Sequence, residues 1–551
     1  MSESTETTAT GIRRRDFLRL TALTGAAFAV RGVLAAEGRA EGTSFTPPPF
    51  EFEEATIADL QKAMASGGQT ARSLVEAYSK RIDAMDRKGA DLHAVIEMNP
   101  EALAIADDLD KERKSGKTRG PLHGIPVLIK DNIDTGDKMS TSAGSLALGD
   151  QHAKADAPLA AQLRAAGAII LGKTNLSEWA NFRSTRSISG WSGRGGQTRN
   201  PYALSRNPCG SSSGSGAAIA ANLAAVAVGT ETDGSIMCPS STCGIVGVKP
   251  TVGLVSRTGV VPISHTQDTP GPMCRTVRDA ALVLSALSGA DPKDAATKRR
   301  PAGLSRDYAA GLDPGGAKGM RLGVARKYFG FSPDVDAVMK HALAALKDAG
   351  AVLIDPVDLP TSAKYDAAEL DVLLYEFKAD LNAYLASAGP GARVKTLAEL
   401  AKYNEENKDK EMPFFGQELV TRALEKGPLT TPAYKTALAT CHTLARAEGI
   451  DLYMTRHKLD AILAPSNGPA WMTDFVNGDH YTGGSSSPAA VAGYPSVTVP
   501  AGLVFGLPVG ISFIGRAWSE AKLLKIAYAF EQATKARHVP RFVYDVETPG
   551  A

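Results

Sequence analysis

Along most of this 551-residue chain, short unbroken apolar runs alternate with longer stretches whose apolar residues recur at helical spacing. That alternation constrains the fold more than any other feature. It calls for strands buried on both faces, with helices packed over them. Residues 127–129, 168–171, 223–228, 320–325, 352–354, 459–463, 496–500 and 509–514 read as strands. Residues 57–85 read as two helices broken at Gly67-Gly68. Residues 157–166, 216–221, 335–349 and 519–534 read as one helix each, and Gly167 suits the position just past the first of them. The expected fold is α/β, one twisted mixed sheet with helices on both faces. Residues 360–450 show a helical pattern without a clear strand and read as an inserted helical region bordering the substrate entrance.

Bulk composition excludes several classes. Lys and Arg total 61 against 59 Asp and Glu, a net charge of +2, which does not fit a strongly basic nucleic-acid binder. No apolar run reaches the length of a membrane span, so no stable membrane anchor is expected. Five cysteines (Cys209, Cys238, Cys243, Cys274 and Cys441) are too few for a disulfide scaffold, and their pairing stays open. Cys238 and Cys243 have no second pair at zinc-like spacing. No metal or cofactor is expected, because no His/Cys/Asp cluster has ligand spacing. Nothing in the sequence fixes an oligomeric state.

The N-terminus reads as an address. Arg13-Arg14-Arg15-Asp16-Phe17-Leu18-Arg19 is followed by a short, mildly apolar stretch and then by Val33-Leu34-Ala35. This order resembles the twin-arginine export signal of bacteria, with cleavage before Ala36. Residues 1–35 are therefore read as a signal peptide and the mature protein as periplasmic or secreted. Residues 36–55, with Pro47-Pro48-Pro49, read as a linker or N-terminal arm, 56–545 as the main domain, and 546–551 as a tail.

Three motif matches compete. Residues 167–174 fit the phosphate-binding P-loop pattern letter for letter, but Ala168-Ile169-Ile170-Leu171 between its glycines is a buried strand, not a loop of exposed N–H groups. Gly210-Ser211-Ser212-Ser213-Gly214 fits the nucleophile elbow of α/β-hydrolases. That reading would use Ser212 with a downstream His and Asp. It stays open as an alternative, although Asn207-Pro208 makes a poor preceding strand. The third is a series: Gly-Ile-Pro-Val-Leu-Ile-Lys-Asp-Asn at 124–132, Pro-Cys-Gly-Ser-Ser-Ser-Gly-Ser-Gly-Ala-Ala at 208–218, Gly-Thr-Glu-Thr-Asp-Gly-Ser-Ile at 229–236, and Cys-Gly-Ile-Val-Gly-Val-Lys-Pro-Thr at 243–251.

This series resembles the amidase signature family over residues 57–533, most densely over 120–275. The resemblance implies that family's fold and its hydrolysis of carboxamide C–N bonds by a lysine, a serine in a cis peptide and a nucleophilic serine. Matched motif to motif, Lys130 takes the lysine position, Ser211 the cis-serine and Ser235 the nucleophile. The Thr232-Asp233-Gly234-Ser235 turn takes the place of the oxyanion hole. Cys209 and Ser213 stand where glycines are usual, Glu231 where an Asp is, Asp233 where a Gly is, and Met237 where an Arg is often found. The Thr-Glu-Thr-Asp-Gly-Ser variant looks like the secreted bacterial peptide amidases, which remove the C-terminal amide of peptides. The implied partner is a small-molecule or peptide amide.

The chemistry explains these residue types. A serine hydroxyl is a weak nucleophile without a base. A lysine is that base only when neutral near working pH, and the apolar neighbours Val127-Leu128-Ile129 favour the neutral form. Activity is expected to rise with pH, with an alkaline optimum unless the pocket lowers the lysine pKa strongly. Taken singly, Lys130 reads as a lysine that extends its head group to solvent, and Ser211 and Ser235 as helix caps. Only their joint order lifts the catalytic reading. A non-catalytic exported binding protein is the third class, and turnover of an amide separates it from the two enzymes.

Overall fold

Eleven strands form one sheet: β1 Val95–Met98, β2 Pro126–Lys130, β3 Ile169–Thr174, β4 Val226–Glu231, β5 Val246–Lys249, β6 Thr269–Cys274, β7 Arg321–Val324, β8 Val352–Ile354, β9 Ala461–Pro465, β10 Ser496–Val504 and β11 Leu507–Ile514. The computed structural model describes residues 44–546, so the signal-peptide reading of residues 1–35 lies outside them. The strand order is β1-β3-β2-β4-β6-β5-β10-β11-β9-β7-β8. The sheet is mixed: β3-β2-β4 and β9-β7-β8 run parallel within each group, and the other neighbours pair antiparallel.

Each apolar run read as a strand overlaps one, with ends differing by up to four residues. Three strands had no such signal. β1 is only partly buried and carries Glu97, and β5 is four residues long with Gly247 inside it. β6 carries Pro270 and Pro272, residues that normally argue against a central strand. Its geometry explains the exception. Both prolines pair with β4, opposite Thr230 and Val228, but β5 reaches only Met273 and Cys274. The prolines thus occupy the part of β6 that has one strand neighbour, where a missing N–H is tolerated.

The two early helices are Ile57–Ala65 and Ala71–Met85, and each is opened by a threonine that accepts the N–H three residues on. Helix Ser213–Ala220 starts three residues earlier than its sequence pattern indicates, and every residue in it is buried. Its sequence, SGSGAAIA, has weak helix propensity, so packing must hold it. Small residues are what allow that packing. A Cβ on Gly214 would lie 2.2 Å from the Ala94 carbonyl oxygen and 2.6 Å from the Asn175 backbone.

Residues 366–450 hold helices Asp366–Ser387, Leu397–Glu406, Lys408–Glu411, Glu418–Leu424, Pro432–His442 and the π-helical Thr443–Ile450, with no strand. Phe377 meets Phe182 at 5.1 Å between ring centroids. A buried ionic knot fastens this helical layer to the loop ahead of Ser211. Arg183 donates to Glu178 and to the Glu411 carbonyl, and its guanidinium lies 4.3 Å from the Phe415 ring centre. Glu178 accepts from Gly193 N–H at 2.7 Å and Glu411 from Leu146 N–H at 2.7 Å. Among the described residues no helix is long and apolar enough to cross a membrane.

Candidate active site

The P-loop match fails in the structure as it does on paper. Its residues 169–174 are β3, buried throughout, and Lys173 Nζ donates to the Ile133 carbonyl at 2.6 Å and to Thr141 Oγ1 at 3.0 Å. The elbow match has no free nucleophile. Ser212 Oγ donates to the Thr230 carbonyl at 3.0 Å and accepts from Thr230 N–H at 3.1 Å. Among the described residues no histidine bonds to it.

The third series comes together in space. Lys130 is the last residue of β2 and is fully buried. Its Nζ lies 2.8 Å from Ser211 Oγ, 2.9 Å from Thr230 Oγ1 and 3.3 Å from the Thr230 carbonyl. The peptide bond between Gly210 and Ser211 is cis, which separates Ser211 from its neighbours Ser212 and Ser213. The Ser211 carbonyl accepts from Ser177 N–H at 3.1 Å. Ser235 follows the turn that leaves β4, and its carbonyl accepts from Ser212 N–H at 3.1 Å, so the two serine loops are tied directly. Among the described residues, the backbone N–H groups of Thr232, Asp233, Gly234 and Ser235 donate to no protein acceptor. Gly234 has φ +81°, a left-handed conformation that glycine adopts without strain.

A cavity of about 430 Å³ opens beside these groups. Gly210, Asp233 and Gly234 line it, as do Ser187, Trp471 and Tyr481. Trp471 is the tryptophan that faces this cavity, whereas Trp179 and Trp191 are packed in hydrophobic clusters.

Burial dominates the electrostatics. It pulls the Lys130 ammonium down to about 7, while the carboxyls of Asp268 and Glu231 pull the other way. Burial pushes Asp268 up to about 6, against its bonds from Thr232 Oγ1 and the N–H groups of Ser264 and Ile263. Glu231 is raised by burial too, and its Oε2 accepts the N–H groups of Ile236 at 2.7 Å and Met237 at 2.9 Å, which shapes the turn around Ser235. Asp233, also raised by burial, accepts from Ser486 Oγ at 2.5 Å.

Several of these groups carried no role in the sequence reading. Thr230 and Asn132 stand inside quoted motifs, and Asn132 Nδ2 donates to Thr230 Oγ1 at 3.0 Å. Asp268 has no motif of its own; only the fold brings it to Thr232. The cysteine pairing left open is Cys209–Cys238, a disulfide, which also disposes of Cys238 as a metal ligand. Cys243, Cys274 and Cys441 are buried thiols.

Known proteins resemble this chain in sequence and in fold. Residues 73–524 match the family model described as Amidase. A protein of Arabidopsis thaliana named a probable amidase is 44% identical over 503 residues, covering 90% of this chain and 93% of that one. An amidase family protein of Bacillus anthracis has a similar crystal structure, with a TM-score of 0.81 and 37% identity, covering 89% of this chain and 93% of that one. The native peptide amidase of Stenotrophomonas maltophilia is similar too, with a TM-score of 0.85 and 52% identity, covering 90% of this chain and 100% of that one. The family match over most of the chain, the relatives' identities and the eleven-stranded mixed sheet all lead to one assignment: this chain is an enzyme of the amidase signature family.

Proposed function

We propose that this enzyme hydrolyses the C-terminal carboxamide of peptides, releasing ammonia, through Ser235, Ser211 and Lys130. The observation that carries the reading is the 2.8 Å contact between a buried Lys130 Nζ and Ser211 Oγ, beside the Ser235 turn and an open cavity. Neutral Lys130 accepts the proton of Ser211 Oγ as Ser211 accepts that of Ser235 Oγ. Ser235 Oγ attacks the amide carbonyl carbon. The oxyanion formed is held by the free N–H groups of the 232–235 turn. The tetrahedral intermediate collapses as the relay returns a proton to the leaving nitrogen, and ammonia departs. Water, deprotonated through the same relay, then hydrolyses the acyl-enzyme. The peptide-amide substrate is supported by the 52% identity to a peptide amidase and by a cavity that accommodates more than a carboxamide.

The test is ammonia release from a panel of peptide amides, simple carboxamides and anilides, each run across pH. Peptide amides should give the highest kcat/KM. The protonated lysine cannot accept a proton, so kcat/KM should rise with pH, with a midpoint near 7 and a plateau above it. The strong downward pull on Lys130 meets the condition set above, so the optimum starts near neutral pH. A panel in which simple carboxamides outpace peptide amides would sink the peptide assignment and leave a broad amidase.

We further propose export through the twin-arginine route. Support comes from Arg14-Arg15 in the leader and from the Cys209–Cys238 disulfide, a bond that persists in oxidising compartments. Arg14→Lys with Arg15→Lys should leave unprocessed precursor in the cytoplasm, read by fractionation and blotting. Normal processing of that variant would refute the route.

A further inference from the structure

The disulfide lies in an unusual place. Cys209 immediately precedes the Gly210–Ser211 bond, and Cys238 comes three residues after Ser235. Both cysteines line the catalytic cavity, each 5% exposed, and they pack with Trp471. Each end is anchored in the local geometry of its serine. Cys209 N–H donates to Asn207 Oδ1 at 2.8 Å and its carbonyl accepts from Ser213 Oγ at 2.6 Å, which fixes the loop around Ser211. Cys238 N–H donates to the Gly234 carbonyl at 2.8 Å, which closes the turn that carries Ser235.

The bond closes a segment with a sequence separation of 29, containing helix Ser213–Ala220 and β4. That segment is already held without it, because β4 pairs with β2 on one side and β6 on the other. The two segments it joins are tied otherwise by hydrogen bonds, among them Ser212 N–H to Ser235 O at 3.1 Å, Thr242 Oγ1 to Pro208 O at 2.7 Å and Cys243 Sγ to the same carbonyl at 3.8 Å. The covalent link is therefore placed to fix one serine loop against the other more than to hold the sheet together. Nor does the nearby Cys243 threaten it by exchange. Burial pushes that thiol up to about 12, so the attacking thiolate is scarce there.

We propose that Cys209 and Cys238 are positioning residues, whose disulfide keeps Ser211 and Ser235 within proton-transfer distance, and that reduction by a dithiol entering the cavity switches the enzyme off. In that step a reductant thiolate attacks one of the two sulfurs and forms a mixed disulfide. The second reductant thiol then displaces it. The protein gains two electrons and two protons as two thiols, and the dithiol becomes a cyclic disulfide. The inference rests on the catalytic reading above.

The experiment compares the purified oxidised enzyme with the same enzyme after dithiothreitol, with thiols counted by alkylation and mass spectrometry after denaturation. Three alkylated cysteines are expected before reduction and five after it. Reduction should lower kcat for a peptide amide at least tenfold with KM changed less than threefold, and reoxidation should restore it. Labelling of Ser235 by a fluorophosphonate, in which the serine oxygen displaces fluoride from phosphorus, should slow in parallel. The Cys209→Ala/Cys238→Ala variant should show the low kcat and no response to dithiothreitol. Five alkylated cysteines before reduction, or a reduced enzyme with kcat within twofold of the oxidised one, would overturn the proposal. So would activity lost only together with the near-ultraviolet circular dichroism, which would make the bond a scaffold staple. An oxidised enzyme inert to every amide would instead remove the catalytic reading.

Discussion

Ser235→Ala should abolish amide hydrolysis, by about 10⁴-fold or more, because the residue proposed to form the acyl-enzyme is gone. Substrate should still bind, since the cavity walls formed by Trp471, Tyr481 and Asp233 are untouched. The measurements are kcat by ammonia release, substrate affinity by calorimetry, and the mass of the protein mixed with substrate. Ser235→Ala should show near-normal affinity and no acyl adduct. The contrast is Ser212→Ala. Its hydroxyl is occupied on both sides by Thr230, so its loss costs local packing and not the nucleophile. A dead Ser212→Ala beside a working Ser235→Ala would return the elbow reading.

The second large effect is expected at Lys130. Lys130→Ala should lower kcat/KM by about 10³-fold, because it removes the base and leaves Ser211 without its proton acceptor. Ser211→Ala should be severe but less so, as a water can fill part of the gap. Groups that act as one relay are not additive. Lys130→Ala with Ser211→Ala should therefore lie within about threefold of Lys130→Ala alone. A double variant worse by the product of the two single losses would show that the two side chains work independently. Stability provides a second readout. Folding holds the lysine near 7 against an ordinary 10.5, so the unfolded chain binds the extra proton between these values. The burial penalty is fully present below about pH 7 and is relieved as pH rises toward 10.5. Relative to Lys130→Met, the wild type should therefore gain Tm across that window.

How much of this was legible in the sequence depended on whether a residue acts through a local pattern or a distant contact. The buried strands were legible because they are apolar on both faces, as in Val127-Leu128-Ile129. β6 was not, because Pro270 and Pro272 are allowed there only by a missing neighbour that the sequence does not display. Lys130, Ser211 and Ser235 were singled out because each sits in its own motif, and the fold brings those motifs to one place. Thr230 and Asp268 were passed over for opposite reasons. Thr230 stood inside a motif but looked like an ordinary strand residue, and Asp268 stood in a loop whose carboxylate finds Thr232 only after folding. The disulfide did leave a trace: Cys209 lies within one serine motif and Cys238 two residues past another.

The ionic knot around Arg183 sets a rule for anyone who would exchange the helical layer to change substrate preference. Arg183 belongs to the sheet-side loop, but Glu411 and Phe415, on which its guanidinium rests, belong to the layer that would be replaced. A graft lacking them would leave the guanidinium paired with Glu178 but without the Glu411 carbonyl that accepts from it and the Phe415 ring it packs on, so a buried donor would lose its acceptor. It would also release Leu146 N–H from its acceptor. Such a chimera must carry residues 411–415 across with the transplanted helices, or remove Arg183 and Glu178 together. The layer is thus interchangeable only as a cassette that brings its own cap for the Arg183 guanidinium.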